Sequence, residues 1–482
     1  MHGGGATLRP VAVRPVARHL RGGRRVRPRR RGGVPAVVRA AAQGLGREAG
    51  RVAVTGGSGG GQLWGGRFRE PPAPDAHALG RSVNVDSRLA AVDVRASIAH
   101  VASLRDARVV SDADAARLTE ALEELGAEIA AGSFVADERD EDVHSVIERT
   151  MLERLGDPGG TLHAGRSRND LVVTDLRLWL LDAGGRVADA VRVLARALVE
   201  RAREHPNTVM PGTTHLRPAQ VVTLGHHLCA HAWALARDLQ RLEQWESRTA
   251  TSPLGAGALA TSTLELDPAT TAQRLGLARA FENSLDAVSD RDFVQEWLAV
   301  AAILGTHCSR LGADVARWTD PAAAWADLPD RYTTGSSMMP HKRNPDPAEL
   351  VRAKAARVAG GFVTLTAMLH GLPLGYHRDL QEDKEPAFDA ADTLLLALPV
   401  LAGAIREIRF DTNAMRSACD DDDLYARRGV RRARSERPAG DDRSDVAVRA
   451  RRGAPGRPST GRDPQAARRD ADAHAHRRAV GG

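Results

Sequence analysis

Five segments of about twenty residues or more carry apolar side chains at helical spacing. They run from Leu171 to Glu204, Ala219 to Thr249, Arg291 to Trp318, Ala348 to His370 and Pro386 to Ile408, with glycine and proline punctuating the gaps. No alternating strand run of any length stands out. Helices of that length and number predict an elongated central bundle whose outer faces are apolar enough to need partner subunits. Shorter helical patterns precede it, over Arg88 to Val109, Ala113 to Ala131 and from Glu141 to about Leu155. Asp112 or Asp114 is placed to cap the second of these, and the acids at Glu141 and Asp142 favour the positive end of the third. The expected class is therefore all-α, with a smaller N-terminal helical domain over 61–165 and the central bundle over 166–412.

The two ends of the chain are different in kind. Residues 1–60 hold thirteen Arg and one acid, Glu48, for a net charge of +12. Residues 426–482 hold sixteen Arg against seven acids, for +9, so the stretch 61–425 carries −14 of the overall +7. The N-terminal extension, 1–60, lacks periodicity and the apolar core of a secretory signal. It reads as disordered, or as translated DNA ahead of a start near Gln62. After Tyr425 there is no Leu, Ile, Met, Phe, Trp or Tyr. Such a tail cannot bury enough apolar surface to fold. Region 413–482 thus reads as degenerate and disordered after about 426, as a reading-frame shift near Asp420 to Arg427 would produce. Basic tails can neutralise phosphate, but these lack aromatic residues for stacking and any reader motif, so no nucleic-acid partner is expected.

Three scattered cysteines, Cys229, Cys308 and Cys419, form no CxxC pair, so neither a disulfide framework nor a cysteine zinc site is indicated. A reducing cytoplasm suits them. The longest apolar run, Leu394 to Ile405, is too short and too closely flanked by Asp392 and Arg406 to span a bilayer.

The chemistry concentrates in loops. Thr334 to Glu349 reads TGSSMMPHKRNPDPAE. Its Gly335 start marks a mobile loop, and Pro340 and Pro345 stiffen the polar stretch. One loop thereby gathers a hydroxyl (Ser336), a cation (Lys342) and an amide (Asn344), a set suited to a carboxylate-bearing substrate whose proton must move. In MPGTTHLRPAQ, from Met210, Thr214 and His215 share a tight turn at a helix entry, where proton transfer is plausible chemistry for the imidazole. His226 and His227, just beyond, read as helix-packing residues. In LHAGRSRND, from Leu162, Arg166, Arg168 and Asn169 offer donors near a helix start, where backbone N–H groups also favour anions. GLPLGYHRDLQEDKEP, from Gly371, places Tyr376, Gln381 and Lys384 in a polar connection between two apolar helices.

GSSxMPxKxNP is the signature pattern of the fumarase/aspartase superfamily, and every fixed position of it is present. Together with WGGRF, GRSRND, PGxTHL, ENSxDAVSDRDF and DLQEDKEP, it resembles the argininosuccinate lyase family over roughly Leu63 to Asp411. The resemblance implies an all-α homotetramer with each active site built from three subunits. It implies reversible cleavage of argininosuccinate to arginine and fumarate, in arginine biosynthesis, with no metal or organic cofactor. It makes Ser336 and His215 the acid–base pair, with Lys342 as cationic help and Glu349 as partner of the histidine. It gives Ser82, Arg168, Asn169, Thr214, Asn344, Tyr376, Gln381 and Lys384 to substrate binding, Arg168 to a carboxylate. Which of Ser336 and His215 takes the carbon proton stays open. The departures are HKR at His341 to Arg343 where the family usually has QKK, Thr213 where an aromatic or Arg is usual, and Ala256 where Ser is usual. MPHKRNP leaves adenylosuccinate lyase or another superfamily lyase as an alternative, and a silent structural homologue is the reading from a different class.

Overall fold

The computed structural model describes residues 73–138 and 140–419. The expectations for 1–60, for WGGRF and for the region beyond Cys419 lie outside the described residues. The architecture is all-α. Three N-terminal helices, α1 (Ala90–Asp106), α2 (Asp112–Ala130) and α3 (Val143–Leu155), precede five long ones. These are α4 (Arg168–Glu204), α5 (Leu224–Thr249), α6 (Asp292–Trp318), α7 (Asp346–Leu369) and α8 (Lys384–Glu407). α6 packs on α5, α7 and α8, and α4 on α5 and α8, so the chain runs up and down one bundle.

Four of the eight helices, α2 to α5, start where a side chain satisfies one of their first N–H groups. Ser167 begins α4 with a capping box: its hydroxyl accepts from the helix and Asp170 accepts from the Ser167 N–H. Asp142 caps α3 through the Ser145 N–H at 2.8 Å. α2 is capped by Ser111, whose hydroxyl accepts from the Asp114 N–H at 3.1 Å, and not by Asp112 or Asp114. Those two acids occupy the first turn instead.

Large apolar residues fill the bundle. Trp245, Trp297 and Trp318 are fully buried. The indole N–H groups of Trp245 and Trp297 donate to the carbonyls of Phe293 (2.8 Å) and Ala387 (3.2 Å), pinning α5 to α6 and α6 to the start of α8. α4 and α5 approach so closely at Gly184 that a Cβ there would lie 2.4 Å from the Trp245 ring. The apolar stretch before Glu407 is longer than expected. An 18-residue window within Arg378–Glu407 has mean hydropathy 1.7, apolar enough by length and composition to cross a membrane, yet 61% of that window is buried inside the fold. Its composition is that of a core helix.

The 209–223 segment also departs from expectation. Residues Val209–Thr214 and Arg217–Thr223 form an antiparallel hairpin, β1 and β2, where no strand was expected and where helix was expected from Ala219. A register shift between Gly212 and Thr213 marks a bulge. Two further pairings involve only two residues per strand, Thr251–Ser252 with Arg279–Ala280 and Ala326–Asp327 with Arg409–Phe410.

Candidate active site

The bundle's own geometry sorts the candidate residues into two groups. α4, α6 and α8 begin at one end, here the proximal end, and α5 and α7 finish there. The opposite, distal end holds the hairpin and the loop before α7.

At the proximal end, the chain around Gly80 to Ser82 meets the segment before α8. Gln381 Nε2 donates to the Gly80 carbonyl at 3.3 Å, and Arg378 bonds Gly80 and Glu141. Ser82 takes a backbone bond to the Glu141 carbonyl (2.8 Å), and its hydroxyl donates to Asp86 at 2.6 Å. Arg168, on the first turn of α4, faces Asp142 at 3.2 Å and Glu148 at 3.8 Å. Burial would raise the Asp142 carboxyl above its usual range, but the charges of His144 and Arg168 outweigh it and hold the pKa low. Asn169 donates to the Ala258 carbonyl at 3.1 Å. This fastens the Gly-rich crossing, whose Gly255 and Gly257 amides both donate to Asp170. Ala256, between them, is completely buried, so a serine there would need a partner for its hydroxyl. Tyr376 is half-buried against the core beside Gly375, whose N–H donates to Ser289 at 2.6 Å.

Arg166 does not present donors at the surface as its motif suggested. It is buried and donates to the Ser97 hydroxyl at 2.9 Å. Beside it lies a polar interior that no motif announced. His144 contacts Asp93 at 2.6 Å with Asp175 at 3.6 Å, all buried. Burial alone would lower the His144 pKa, but Asp93, Asp142 and Asp86 raise it.

Under this surface sits a charge triad. Asp383 accepts from Arg291 Nε and, at 2.8 Å, from Lys384 Nζ, and all three side chains are at most 3% exposed. Burial opposes ionisation of Asp383, but the two cations win and lower its pKa. Two cations on one carboxylate leave a surplus positive charge in a low-dielectric setting, which favours an incoming anion. Sequence reasoning found Lys384 but missed Asp383 and Arg291, although both lie inside quoted motifs. Their separation of 92 residues hides the contact.

At the distal end, His215 and Leu216 form the two-residue tip of the β1–β2 hairpin. Both are left-handed, with φ of 53° and 60°, and neither is glycine. Such backbone costs about 1–2 kcal/mol per residue and persists only where the surroundings over-determine it. Thr213 and Arg317 supply part of that restraint. Arg317 Nη1 donates to the Thr213 hydroxyl at 3.0 Å and Nη2 to the Leu216 carbonyl at 3.4 Å, clasping the tip from both flanks. Thr213, the departure from the usual aromatic or Arg, is thus the acceptor of this clasp. Arg317→Met is expected to lower kcat about 10–100-fold by letting the imidazole wander, while the thermal midpoint stays within a few degrees; unchanged kcat would remove Arg317 from this role. Thr214 and His215 are exposed at the tip. His226 is exposed as well and takes no part in helix packing, whereas His227 turns inward to Asp314.

The segment Thr334 to Asn344 is a closed loop. The Thr334 and Asn344 backbones bond each other both ways, at 3.1 and 2.8 Å. Arg343 anchors its base to Asp327 and Asp330, each at 2.9 Å. Ser336 is half-buried, and its hydroxyl accepts from the Met339 N–H at 3.2 Å. Lys342 is exposed at the rim. Glu349, on the first turn of α7, is exposed and faces Arg352 at 3.7 Å; among the described residues it makes no bond to His215.

The structure therefore brings Ser82, Arg168, Asn169, Tyr376, Gln381 and Lys384 to the proximal end, and Thr214, His215, Ser336, Lys342, Asn344 and Glu349 to the distal end. α6 has 27 residues, so the ends stand about 40 Å apart. No single copy of the chain unites them.

A sequence profile of a family described as Lyase matches residues 66–360. A protein from Frankia casuarinae named argininosuccinate lyase is 50% identical over 360 residues, covering 75% of this chain and 78% of the relative. One of the same name from Mycobacteroides abscessus is 49% identical, covering 74% and 75%. The chain belongs to the argininosuccinate lyase family. Among solved structures, a complex of EDDS lyase with formate aligns with a TM-score of 0.64 at 28% identity, covering 73% of this chain and 70% of that one. The 3-carboxy-cis,cis-muconate lactonizing enzyme of Pseudomonas putida aligns with a TM-score of 0.62 at 23% identity, a likeness of fold that covers 73% and 80%.

Proposed function

We infer that this protein is a carbon–nitrogen lyase that cleaves argininosuccinate reversibly to arginine and fumarate, a step of arginine biosynthesis. The observation that carries this reading is its 50% identity, over 78% of the relative, to a protein named argininosuccinate lyase, with Ser336, His215 and Lys342 all retained.

The chemistry asks for a base to remove the proton on the carbon next to a carboxylate. It asks for donors to hold the dianionic intermediate, and for an acid to protonate the departing guanidinium nitrogen. Ser336 and His215 form the acid–base pair, and Lys342, on the same loop, favours the alkoxide form of Ser336. Glu349 steadies the histidine. The surplus positive charge of Arg291, Asp383 and Lys384 draws a substrate carboxylate to the proximal end, where Ser82, Arg168, Asn169, Tyr376 and Gln381 complete the binding surface. Thr214 and Asn344 add polar contacts at the distal end. Closure of the 334–344 loop over the substrate excludes water.

The assembly is a homotetramer with shared sites. A separation of about 40 Å between the two groups supports a site shared between chains. α7 supports it, because its outward face carries Leu350 (56% exposed) and Val363 (65% exposed) with Ala353, Ala356 and Gly360 between them. Antiparallel packing on that face would bring the proximal end of one subunit against the distal end of another. The three free thiols suit the cytoplasm.

The deciding experiment is ultraviolet detection of fumarate from purified full-length protein given argininosuccinate or adenylosuccinate. Turnover of argininosuccinate alone is expected. Turnover of adenylosuccinate alone would instead favour the reading carried by His341 in MPHKRNP.

A further inference from the structure

We propose that His227, His231 and Asp314 form a binding site for a divalent transition-metal ion that clips α5 to α6 at the distal end of the bundle. The site is separate from the acid–base pair and from the proximal substrate contacts, and the lyase chemistry does not use it.

His227 and His231 stand four residues apart on the first turns of α5, so both rings leave the same face of the helix. Their centroids are 5.6 Å apart. Both Nε2 atoms point at one oxygen across the helix interface: Asp314 Oδ2 lies 2.7 Å from His227 and 2.8 Å from His231. The three ligand atoms all lie within 4.8 Å of one another. Two imidazoles and a carboxylate on adjoining helices are a donor set for zinc, cobalt or nickel rather than for calcium or magnesium.

The geometry needs little change to accept an ion. Metal–nitrogen and metal–oxygen bonds of about 2.0–2.2 Å place neighbouring ligand atoms roughly 3.3 Å apart. The Asp314 oxygen must therefore withdraw by about half an ångström from each ring. Each ring proton, now directed from Nε2 at the carboxylate, shifts to Nδ1 so that the Nε2 lone pair faces the ion. The side chains are 29%, 15% and 29% exposed, so water can enter and fill the remaining coordination positions. The His227 ring is also braced edge-on against Trp318 at 5.4 Å, which fixes one ligand before the ion arrives.

Asp314 lies three residues, about one helical turn, before Arg317, the clasp of the hairpin that carries His215. α5 itself begins directly after β2. An ion at this point would stiffen the base of that hairpin without touching the imidazole at its tip. The predicted effect is on stability first.

The test uses full-length, tag-free protein stripped with EDTA and titrated with Zn²⁺ or Co²⁺. The expected result is one ion per chain above any weaker binding at His474 and His476. Affinity should drop at least tenfold in His231→Gln and in Asp314→Asn, and the rise in thermal midpoint produced by Zn²⁺ should vanish in both. Cobalt K-edge absorption of the wild-type protein provides a reading that needs no variant: two imidazoles and at least one oxygen ligand are expected. Absence of binding, affinity unchanged in both variants, or a spectrum without paired imidazoles would overturn the proposal.

Discussion

A one-to-one mixture of His215→Asn and Lys384→Met proteins, each nearly inactive alone, is expected to recover fumarate release once their subunits exchange. Loss of an acid–base group costs on the order of 10²–10⁴ in rate. Lys384 is proposed to anchor a substrate carboxylate, and on that reading loss of its buried cation should have a comparable effect. The two residues sit at opposite ends of one bundle. Lys384 opens the 24-residue helix α8, and Glu407, which closes it, pairs with Arg331 just before the 334–344 loop. A site that contains both His215 and Lys384 therefore draws them from different chains. Random assembly leaves about one site in four with both residues intact, so recovery should approach a quarter of wild-type activity. Differently tagged variants would report mixed oligomers independently. Mixed oligomers without recovered activity would mean that one chain supplies both residues, and the shared-site reading would fail.

Asp383→Asn is expected to destabilise the fold by about 3–5 kcal/mol, because it strands two buried cations without their counter-charge. Arg291 and Asp383 are 0% exposed and Lys384 is 3% exposed, so water cannot take over from the lost carboxylate. For a folded region of this size that corresponds to a drop of about 4–7 °C in thermal midpoint. The surface pair Arg88–Asp392, 36% and 55% exposed, is the internal control. Asp392→Asn should cost no more than about 1 kcal/mol. The sign with pH follows from the lowered pKa of Asp383. The stability that it contributes is present above the unfolded carboxylate range and is lost as pH falls through the folded value. Equal midpoints for the two variants would show that the triad is not a keystone of the proximal end.

Much of this molecule is legible in the chain because long helices announce themselves. Their 3.6-residue apolar rhythm runs for more than twenty residues, and the ends of α4, α5 and α6 fall within a few residues of expectation. The hairpin is invisible for an equally physical reason. Pro211, Gly212 and Pro218 interrupt any alternation, and the tip, His215 and Leu216, lacks the Asn-Gly or Asp-Gly pair that marks a tight hairpin turn. It is held by Arg317, about a hundred residues away, and no local rule includes that contact. Ser111 displaced the aspartates as a cap for a similar reason. Neighbouring side chains compete for the same N–H groups, and only the backbone angle at Ser111 decides between them.

The sequence by itself determined the family and the helical class, and it singled out the groups proposed to react. Those follow from residue types at fixed short spacings, which survive in one dimension. The tertiary structure alone decided that the groups lie at two ends of a bundle about 40 Å long. It also decided that Lys384 shares Asp383 with Arg291, and that two histidines on one helix meet an aspartate 83 residues further on. Distance along a chain carries no record of which helix ends coincide, because that depends on the lengths and directions of all the helices between.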